Sequence, residues 1–356
     1  MKITKRVKIM TGFKCNALCK FCYYKEFLSQ PNFPQERIKR DILFALKNGI
    51  ENIDFSGGEP TLHKNLPDLI YFAKKKGAKS ICIITNGIAL ANLEYYKRLK
   101  DAGLNETLFS LQGYDEHSHD FIVGVKNAFS RLMKALENAV KLGIKIRINS
   151  VIHKLNYKKA LTIAKIGTQF SPEQFNFISV NDWKHAKKSF SKYVLSYSEL
   201  APYLKEACDY LRGYLENINI RYVPFCFFKD YENYICGHLQ VMFDPFEWDP
   251  YVRVRLEKHY PPLIWIPMII YGMINLDFKR LVSLNKRRLI NECIIEAIRR
   301  YGYTKSKECK KCKYYYLCDG VEKKYAQYFG LKELKPIEGK IIEEPYYFRK
   351  HLLKYF

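Results

Sequence analysis

Residues 6–22 read RVKIMTGFKCNALCKFC, a short β-branched run followed by three cysteines. Cys15, Cys19 and Cys22 have the spacing C-x3-C-x2-C. Three thiolates are one ligand short of the closed tetrahedral set of structural zinc, and no other His or Cys lies close by in the sequence. The same thiolates can hold a [4Fe–4S] cluster by three of its irons, which leaves the fourth iron open to a bidentate ligand.

The first 180 residues alternate strand and helix patterns, which predicts an α/β fold. β-branched runs predict six strands, at residues 6–12, 51–58, 79–87, 105–113, 144–152 and 173–180. Apolar residues at i, i+3, i+4 spacing predict helices at residues 36–49, 66–77, 90–103, 130–143 and 157–167. This order indicates a parallel sheet with right-handed crossovers, and it places ligand-binding residues at the carboxyl ends of the strands.

Two further features accompany the cysteines: Phe21 precedes the last of them, and GGEP (Gly57–Pro60) follows the second strand. With the six β/α units, they resemble the radical S-adenosylmethionine (SAM) enzymes over roughly residues 5–200. The resemblance implies a partial (β/α)6 TIM-like barrel in which SAM chelates the open iron. It also implies an oxygen-sensitive enzyme that receives an electron from ferredoxin or flavodoxin. Such an enzyme cleaves SAM to a 5′-deoxyadenosyl radical, which abstracts hydrogen from a substrate.

The resemblance also assigns residues to SAM. Gly57 and Gly58 are expected to bring bare backbone beside the ligand, where a Cβ would clash. Glu59 is expected to accept a hydrogen bond from the methionyl amino group, and Pro60 to fix the turn. Residues that end the third and fourth strands are expected at the methionine and ribose of SAM: Thr85, Asn86, Gly87, Ser110 and Gln112.

Arg147 and Asn149 alternate on the fifth predicted strand, so their side chains share one face. If that face looks into the barrel, Asn149 would bind the ribose hydroxyls and Arg147 the SAM carboxylate. A surface-facing alternation is the alternative.

A second group of five cysteines lies downstream. It consists of Cys226, Cys236 and the C-x2-C-x5-C string of Cys309, Cys312 and Cys318. The string resembles the auxiliary-cluster (SPASM or Twitch) extensions of radical SAM enzymes. The SPASM pattern continues with a cysteine four residues on, where this chain has Glu322, so the ligands suffice for one auxiliary [4Fe–4S] cluster rather than two. A zinc site with four thiolate ligands is the alternative.

The chain of 356 residues has a formal net charge of +24, which attracts polyanions or is simply spread over a lysine-rich surface. Residues 1–14 lack the apolar core of a signal peptide, which predicts a cytoplasmic protein. The apolar run 261–276 is too short to span a membrane. The segment 279–313, with twelve Lys or Arg against three Glu, predicts a phosphate-binding face, contact with anionic lipid, or a solvated helix.

We predict three parts: a radical SAM core barrel (1–205), an auxiliary-cluster domain (206–330) and a tail packing on the core (331–356). A barrel that begins at about residue 5 leads us to expect no N-terminal leader-peptide recognition domain. The auxiliary domain suggests a peptide or protein side chain, or another biosynthetic intermediate, as substrate. The charge suggests RNA, a phosphorylated or lipid substrate, or another anionic small molecule. A non-catalytic iron–sulfur or zinc protein that binds nucleic acid is the hypothesis of a different class.

Overall fold

The computed structural model describes residues 2–180, 190–258, 262–276 and 285–355. The part of the predicted basic segment at 279–284 lies outside the described residues, as does position 261 of the apolar run. The chain forms two compact units. The barrel unit comprises Val7–Leu195 and Pro202–Ile220, and the C-terminal unit comprises Met1–Arg6, Ser196–Ala201 and Arg221–Phe356. The boundaries predicted at residues 205 and 330, and the docking of the tail on the barrel, stay predictions.

The barrel unit is built on a sheet whose strands follow one another in chain order. The strands are β1 (Arg6–Met10), β2 (Asn52–Ser56), β3 (Ser80–Thr85), β4 (Glu106–Ser110), β5 (Lys145–Ile152), β6 (Gln174–Ser179) and β7 (Ile218–Arg221). The pairs from β2 to β6 are all parallel, with registers such as Phe55 opposite Ile83 and Ser110 opposite Asn149. All six predicted strands are present, and the predicted α/β partial barrel is confirmed. β7 was not predicted, because a run of four residues gives little periodic signal.

Helices connect the strands, as the parallel order requires. They are α1 (Gln35–Lys47), α2 (Leu66–Lys75), α3 (Leu93–Ala102), α4 (Glu116–Val123), α5 (Ala128–Leu142), α6 (Ala160–Thr168), α7 (Phe190–Tyr193) and α8 (Tyr197–Leu211). The Asp115 side chain caps α4 by accepting from the Ser118 N–H, and Gly143 ends α5 in the left-handed conformation. α5 buries Leu132, Leu136 and Ala139 on one face, at the spacing that its sequence predicts.

The described residues of the C-terminal unit include four α-helices and three two-residue strands. They are β8 (Ile235–Cys236), α9 (Pro250–Lys258), α10 (Pro262–Asn275), α11 (Lys286–Gly302), β9 (Tyr303–Thr304), β10 (Val321–Glu322) and α12 (Lys323–Phe329). β9 and β10 pair antiparallel and close the loop that carries Cys309, Cys312 and Cys318. In the tail, Arg349 forms a buried ion pair of 2.6 Å with Asp244 of the same unit. Among the described residues, no helix is long and apolar enough to cross a membrane.

Candidate active site and second cysteine site

The first cysteine group lies on one loop that begins where β1 ends. Cys15, Cys19 and Cys22 are all half-buried. The loop is fixed to the end of α4, because the Leu18 N–H donates to the Val123 carbonyl at 2.9 Å and the Lys20 N–H to the Ile122 carbonyl at 2.9 Å. The three thiols are therefore presented by a backbone with defined partners, at the carboxyl edge of the sheet.

Burial and mutual repulsion act on these thiols. Burial raises the pKa of Cys15 to about 11, although the Ala17 N–H, 3.4 Å from its sulfur, opposes the shift. Burial, together with negative charge on Cys22, Cys15 and Glu59, raises the pKa of Cys19 to about 12. Three thiols and one carboxylate thus share one electrostatic environment. A group of soft, positively charged iron atoms fits it, because such a group replaces the protons.

The GGEP motif is joined to the chain that leads into this loop. The Gly58 N–H donates to the Gly12 carbonyl at 3.0 Å, and the Glu59 N–H donates to the Lys14 carbonyl at 2.9 Å. A Cβ on Gly58 would lie 2.2 Å from the Phe13 carbonyl oxygen. One close approach that requires glycine here is therefore to the protein's own backbone, while the expected approach to SAM stays a prediction.

Glu59 is buried and accepts several hydrogen bonds. Its Oε1 accepts from the Thr61 N–H at 3.1 Å, the Thr61 hydroxyl at 2.7 Å and the Thr85 hydroxyl at 2.8 Å. Its Oε2 accepts from the Asn86 N–H at 2.8 Å. Burial raises the pKa of Glu59, while these donors lower it. Oε2 has one donor where Oε1 has three, so Oε2 can receive a further donor such as an ammonium group. Pro60 begins the short 3-10 turn Pro60–Leu62.

The loop after β3 contacts the cysteine loop directly. The Asn86 side-chain amide donates to the Asn16 side-chain oxygen at 2.8 Å, and Asn16 lies between the first two cysteines. Gly87 has φ +80°, a left-handed conformation that favours glycine. The structure therefore brings together the three cysteines, Glu59, Thr85 and Asn86, which the sequence assigned to one site.

Ser110 and Gln112 follow at the end of β4. Ser110 is half-buried and lies opposite Asn149 of β5. The Gln112 side-chain oxygen accepts from the Val151 N–H at 2.8 Å, so this oxygen joins the end of β4 to β5. The Asn149 side-chain oxygen accepts from the Asn176 amide at 2.6 Å, and Asn149 is also half-buried.

Arg147 has partners that the sequence did not predict. Its guanidinium is fully buried and forms ion pairs with Glu106 and, at 3.0 Å, with Asp54. These carboxylates lie on β4 and β2, so the shared face of Arg147 and Asn149 looks into the barrel. Desolvation opposes the charge on Arg147, but the two carboxylates raise its pKa well above the usual value. The expected contact of Arg147 with the SAM carboxylate is corrected accordingly, because Asp54 and Glu106 already neutralise its charge.

His153 directly follows β5 and was not considered in the sequence analysis. Its ring packs against Phe21 of the cysteine loop, with ring centroids 5.3 Å apart, and against Tyr193 at 5.9 Å. Its Nδ1 accepts from the Leu155 N–H at 3.2 Å, while its buried Nε2 has no hydrogen-bond partner among the described residues. Its position immediately after a strand was the signal that could have identified it.

Four cysteines of the second group line one cavity of the C-terminal unit: Cys226, Cys309, Cys312 and Cys318. Backbone N–H groups point at their sulfurs, from Gly320 to Cys318 at 3.3 Å and from Ile337 to Cys312 at 3.4 Å. Such donors stabilise thiolates and are typical of the protein shell around a metal centre. Lys305 also lines the cavity, and burial lowers its pKa to about 8.

Cys236 does not line this cavity. Its sulfur lies with carboxylate oxygens of Asp244 and Glu247, all within 4.8 Å of one another. Arg349 and Arg221 form ion pairs with these two carboxylates, so their charge is already compensated. Cys236 is therefore not among the four sulfurs that the cavity brings together, and which of the five cysteines are ligands stays a prediction.

The spacing of the sulfurs bears on the choice between zinc and a cluster. Four ligands at the Zn–S distance of about 2.3 Å would lie about 3.8 Å from one another. Among the described residues, one group of three ligand atoms lies within 4.8 Å of one another, and it consists of Cys236, Asp244 and Glu247. No three of the described sulfurs of either cysteine group all lie within 4.8 Å of one another, and the choice between zinc and an iron–sulfur cluster stays a prediction.

Comparisons with known proteins agree with this arrangement. The family model of the Radical SAM superfamily matches residues 9–165. A probable GTP 3',8-cyclase of Sulfurisphaera tokodaii is 27% identical over 245 residues, which cover 65% of this chain and 75% of that protein. The Fe-coproporphyrin III synthase of Methanosarcina barkeri is 35% identical over 149 residues, 41% of this chain and 36% of that protein. The chain thus spans about a third of the length of this second relative.

Solved structures share the fold. Native anSMEcpe with bound AdoMet and a Cp18Cys peptide has a TM-score of 0.56 at 17% identity, covering 98% of this chain and 96% of that chain. The family match shows that residues 9–165 form a radical SAM domain, and the structure places the cysteine loop of this domain at the carboxyl edge of its partial barrel.

Proposed function

We propose that this chain cleaves SAM reductively and abstracts a hydrogen atom from a peptide or protein side chain. The observation that carries the proposal is the convergence of Cys15, Cys19 and Cys22 with the buried Glu59. Cys15, Cys19 and Cys22 would hold a [4Fe–4S] cluster, which would supply the electron for cleavage of SAM to methionine and the 5′-deoxyadenosyl radical. A cluster of this kind requires a reducing compartment, so we place the enzyme in the cytoplasm, with ferredoxin or flavodoxin as the electron donor.

The residues around the cysteine loop would bind and orient SAM. Glu59 would accept from the methionyl ammonium at Oε2, while Thr61 and Thr85 hold the carboxylate in place. Ser110 ends β4 and Asn149 lies opposite it on β5, and both are half-buried polar groups, which suits hydrogen bonds to the ribose. Gly57 and Gly58 would act indirectly, by letting the GGEP turn pack on the backbone before Cys15.

The second cysteine site would hold one auxiliary [4Fe–4S] cluster through Cys226, Cys309, Cys312 and Cys318. Support comes from the common cavity and from the N–H donors to sulfur. Four thiolate ligands leave no iron open to a substrate. Such a cluster, when bound, would accept and donate single electrons and would not bind the substrate.

A peptide or protein substrate is favoured over RNA by the partners of the basic segment. Arg287, Arg288, Arg299 and Arg300 all form ion pairs with carboxylates of the same unit. Guanidinium groups that are already paired bind phosphate less well, because the existing pair must first be broken. A solved structure with this fold over 98% of the chain holds a bound peptide, which also supports the proposal.

The test is anaerobic reconstitution with iron and sulfide, followed by SAM and dithionite. We expect release of 5′-deoxyadenosine, its loss in Cys19→Ala, and its retention in Cys293→Ala, which removes a thiol buried in α11. A protein that holds iron but releases no 5′-deoxyadenosine would favour the non-catalytic alternative. Steeply salt-dependent RNA binding would favour a nucleic acid substrate instead.

A further inference from the structure

One face of α10 exposes large apolar side chains. Ile270 is 51% exposed and Ile274 is 77% exposed, and the stripe continues through Ile266, Tyr271 and Met273. At 100° per residue, these positions form one stripe roughly 160° wide. A contiguous exposed apolar stripe is uncommon on a monomeric protein and marks an interaction surface.

The opposite face of α10 is packed within the same unit. A Cβ on Gly272 would lie 2.1 Å from the Cys293 carbonyl oxygen, so α10 and α11 approach with backbone nearly in contact. Trp265 packs against α9, where the Arg255 guanidinium lies 4.6 Å from its ring and the Tyr251 ring lies 5.9 Å away. α10 is therefore held in place by one side while the other side has no partner among the described residues.

The charges near α10 suit an anionic partner. Residues 262–275 include no charged side chain, and the exposed Lys286 begins the helix that packs against α10. The whole chain carries a net charge of +24, so a second copy of the chain would be repelled, whereas an anionic surface would be attracted.

We propose that the exposed face of α10 docks on the surface of an anionic phospholipid bilayer. A helix of 14 residues is about 21 Å long, too short to cross the bilayer, but it can lie in the interface plane. Isoleucine and methionine side chains would enter the boundary between headgroups and acyl chains. Tyr271 would lie at the headgroup level, where its ring and hydroxyl are both accommodated.

The test is sedimentation of the anaerobically purified holoprotein with vesicles. The vesicles are phosphatidylcholine alone and an equimolar mixture with phosphatidylglycerol, each at low and high salt. We expect binding to the anionic vesicles that weakens at high salt. The double variant I270E/I274E should bind at least about tenfold more weakly, because two exposed apolar residues become charged. Val140→Glu, on the exposed face of α5, should bind as the unaltered protein does.

Several results would overturn the proposal. Among them are absence of binding to either vesicle, equal binding to both vesicles, or equal binding by the double variant and the unaltered protein. Sedimentation velocity without vesicles measures whether the protein self-associates. A dimer that I270E/I274E dissociates, without vesicle binding, would show that a second copy covers this face. Far-UV circular dichroism and iron content establish that each variant is folded.

Discussion

The Asn86 side-chain amide donates a 2.8 Å hydrogen bond to the side-chain oxygen of Asn16, joining the loop after β3 to the loop that carries the cysteines. We expect Asn16→Ala to release this connection. An exposed hydrogen bond contributes about 0.5–1.5 kcal/mol, so the KM for SAM should rise by about two- to tenfold. The KM for SAM is measured from the steady-state rate of 5′-deoxyadenosine release at varied SAM concentration. Asn48→Ala, at the end of α1, is the control, and an unchanged KM in Asn16→Ala would contradict the prediction.

Glu59→Gln tests the carboxylate beside the cysteines. Glutamine has one acceptor oxygen where glutamate has two, so the variant cannot accept all the hydrogen bonds that Oε1 and Oε2 now accept. It also lacks the negative charge that would attract the methionyl ammonium group. A hydrogen bond to a charged group contributes about 1.5–3 kcal/mol, which predicts a KM for SAM about 10- to 100-fold higher. The KM is measured with iron content matched between proteins. The exposed Glu94→Gln should behave as the unaltered enzyme, and a Gln variant with normal KM would exclude Glu59 from SAM binding.

Iron content distinguishes the ligands of the second site. Cys318→Ala removes a sulfur that lines the cavity, whereas Cys236→Ala removes one that does not. We expect about eight irons per unaltered chain, about four in Cys318→Ala and about eight in Cys236→Ala. Iron and sulfide analysis after anaerobic reconstitution measures this. Loss of iron in both variants alike would show that Cys236 also holds the cluster.

Arg147→Met should destabilise the barrel. The substitution leaves the buried carboxylates of Asp54 and Glu106 without their counter-charge. Breaking a buried ion pair from one side costs about 3–5 kcal/mol of unfolding free energy. Urea denaturation of the reconstituted protein measures the loss. The fraction that remains folded should bind SAM with nearly normal affinity, and a selective loss of SAM affinity would restore the role first expected for Arg147.

His119 makes stability depend on pH. Burial lowers its pKa from 6.5 to about 4, and its Nδ1 accepts from the N–H groups of Gln112 and Gly113. Below pH 6.5 His119 of the unfolded chain binds a proton, whereas His119 of the folded chain stays neutral down to about pH 4. Stability is therefore full above pH 6.5 and falls between pH 6.5 and 4, by up to about 1.4 kcal/mol per pH unit.

The variant His119→Asn keeps a hydrogen-bond acceptor but does not titrate. We expect its denaturation midpoint to depend less on pH in this window than that of the unaltered protein. His117→Asn, on the exposed side of the same helix, is the control. Identical pH profiles for His119→Asn and the unaltered protein would contradict the assignment.

The sequence predicts what periodic patterns and short motifs encode. The six strands and the cysteine loop follow from local runs of residues, and so does the proximity of Glu59, Thr85 and Asn86, since all follow parallel strands. Arg147 was assigned to the wrong partner because Asp54 and Glu106 lie 93 and 41 positions away in the chain, and pairing at that separation has no local signal. Only tertiary packing distinguishes Cys226, which lines the cavity, from Cys236, which does not. Both cysteines precede the C-x2-C-x5-C string, and neither has a local sequence signal that marks it as a ligand.

The cysteine loop has three independent attachments: the Gly12–Lys14 backbone to the GGEP turn, Asn16 to Asn86, and residues 18 and 20 to the end of α4. All three are hydrogen bonds between groups of the protein itself. A chain that loses its inorganic centre to oxygen should consequently keep the shape of this loop. Repair then needs only reduction of the thiols and a fresh supply of iron and sulfide, without passage through an unfolded state.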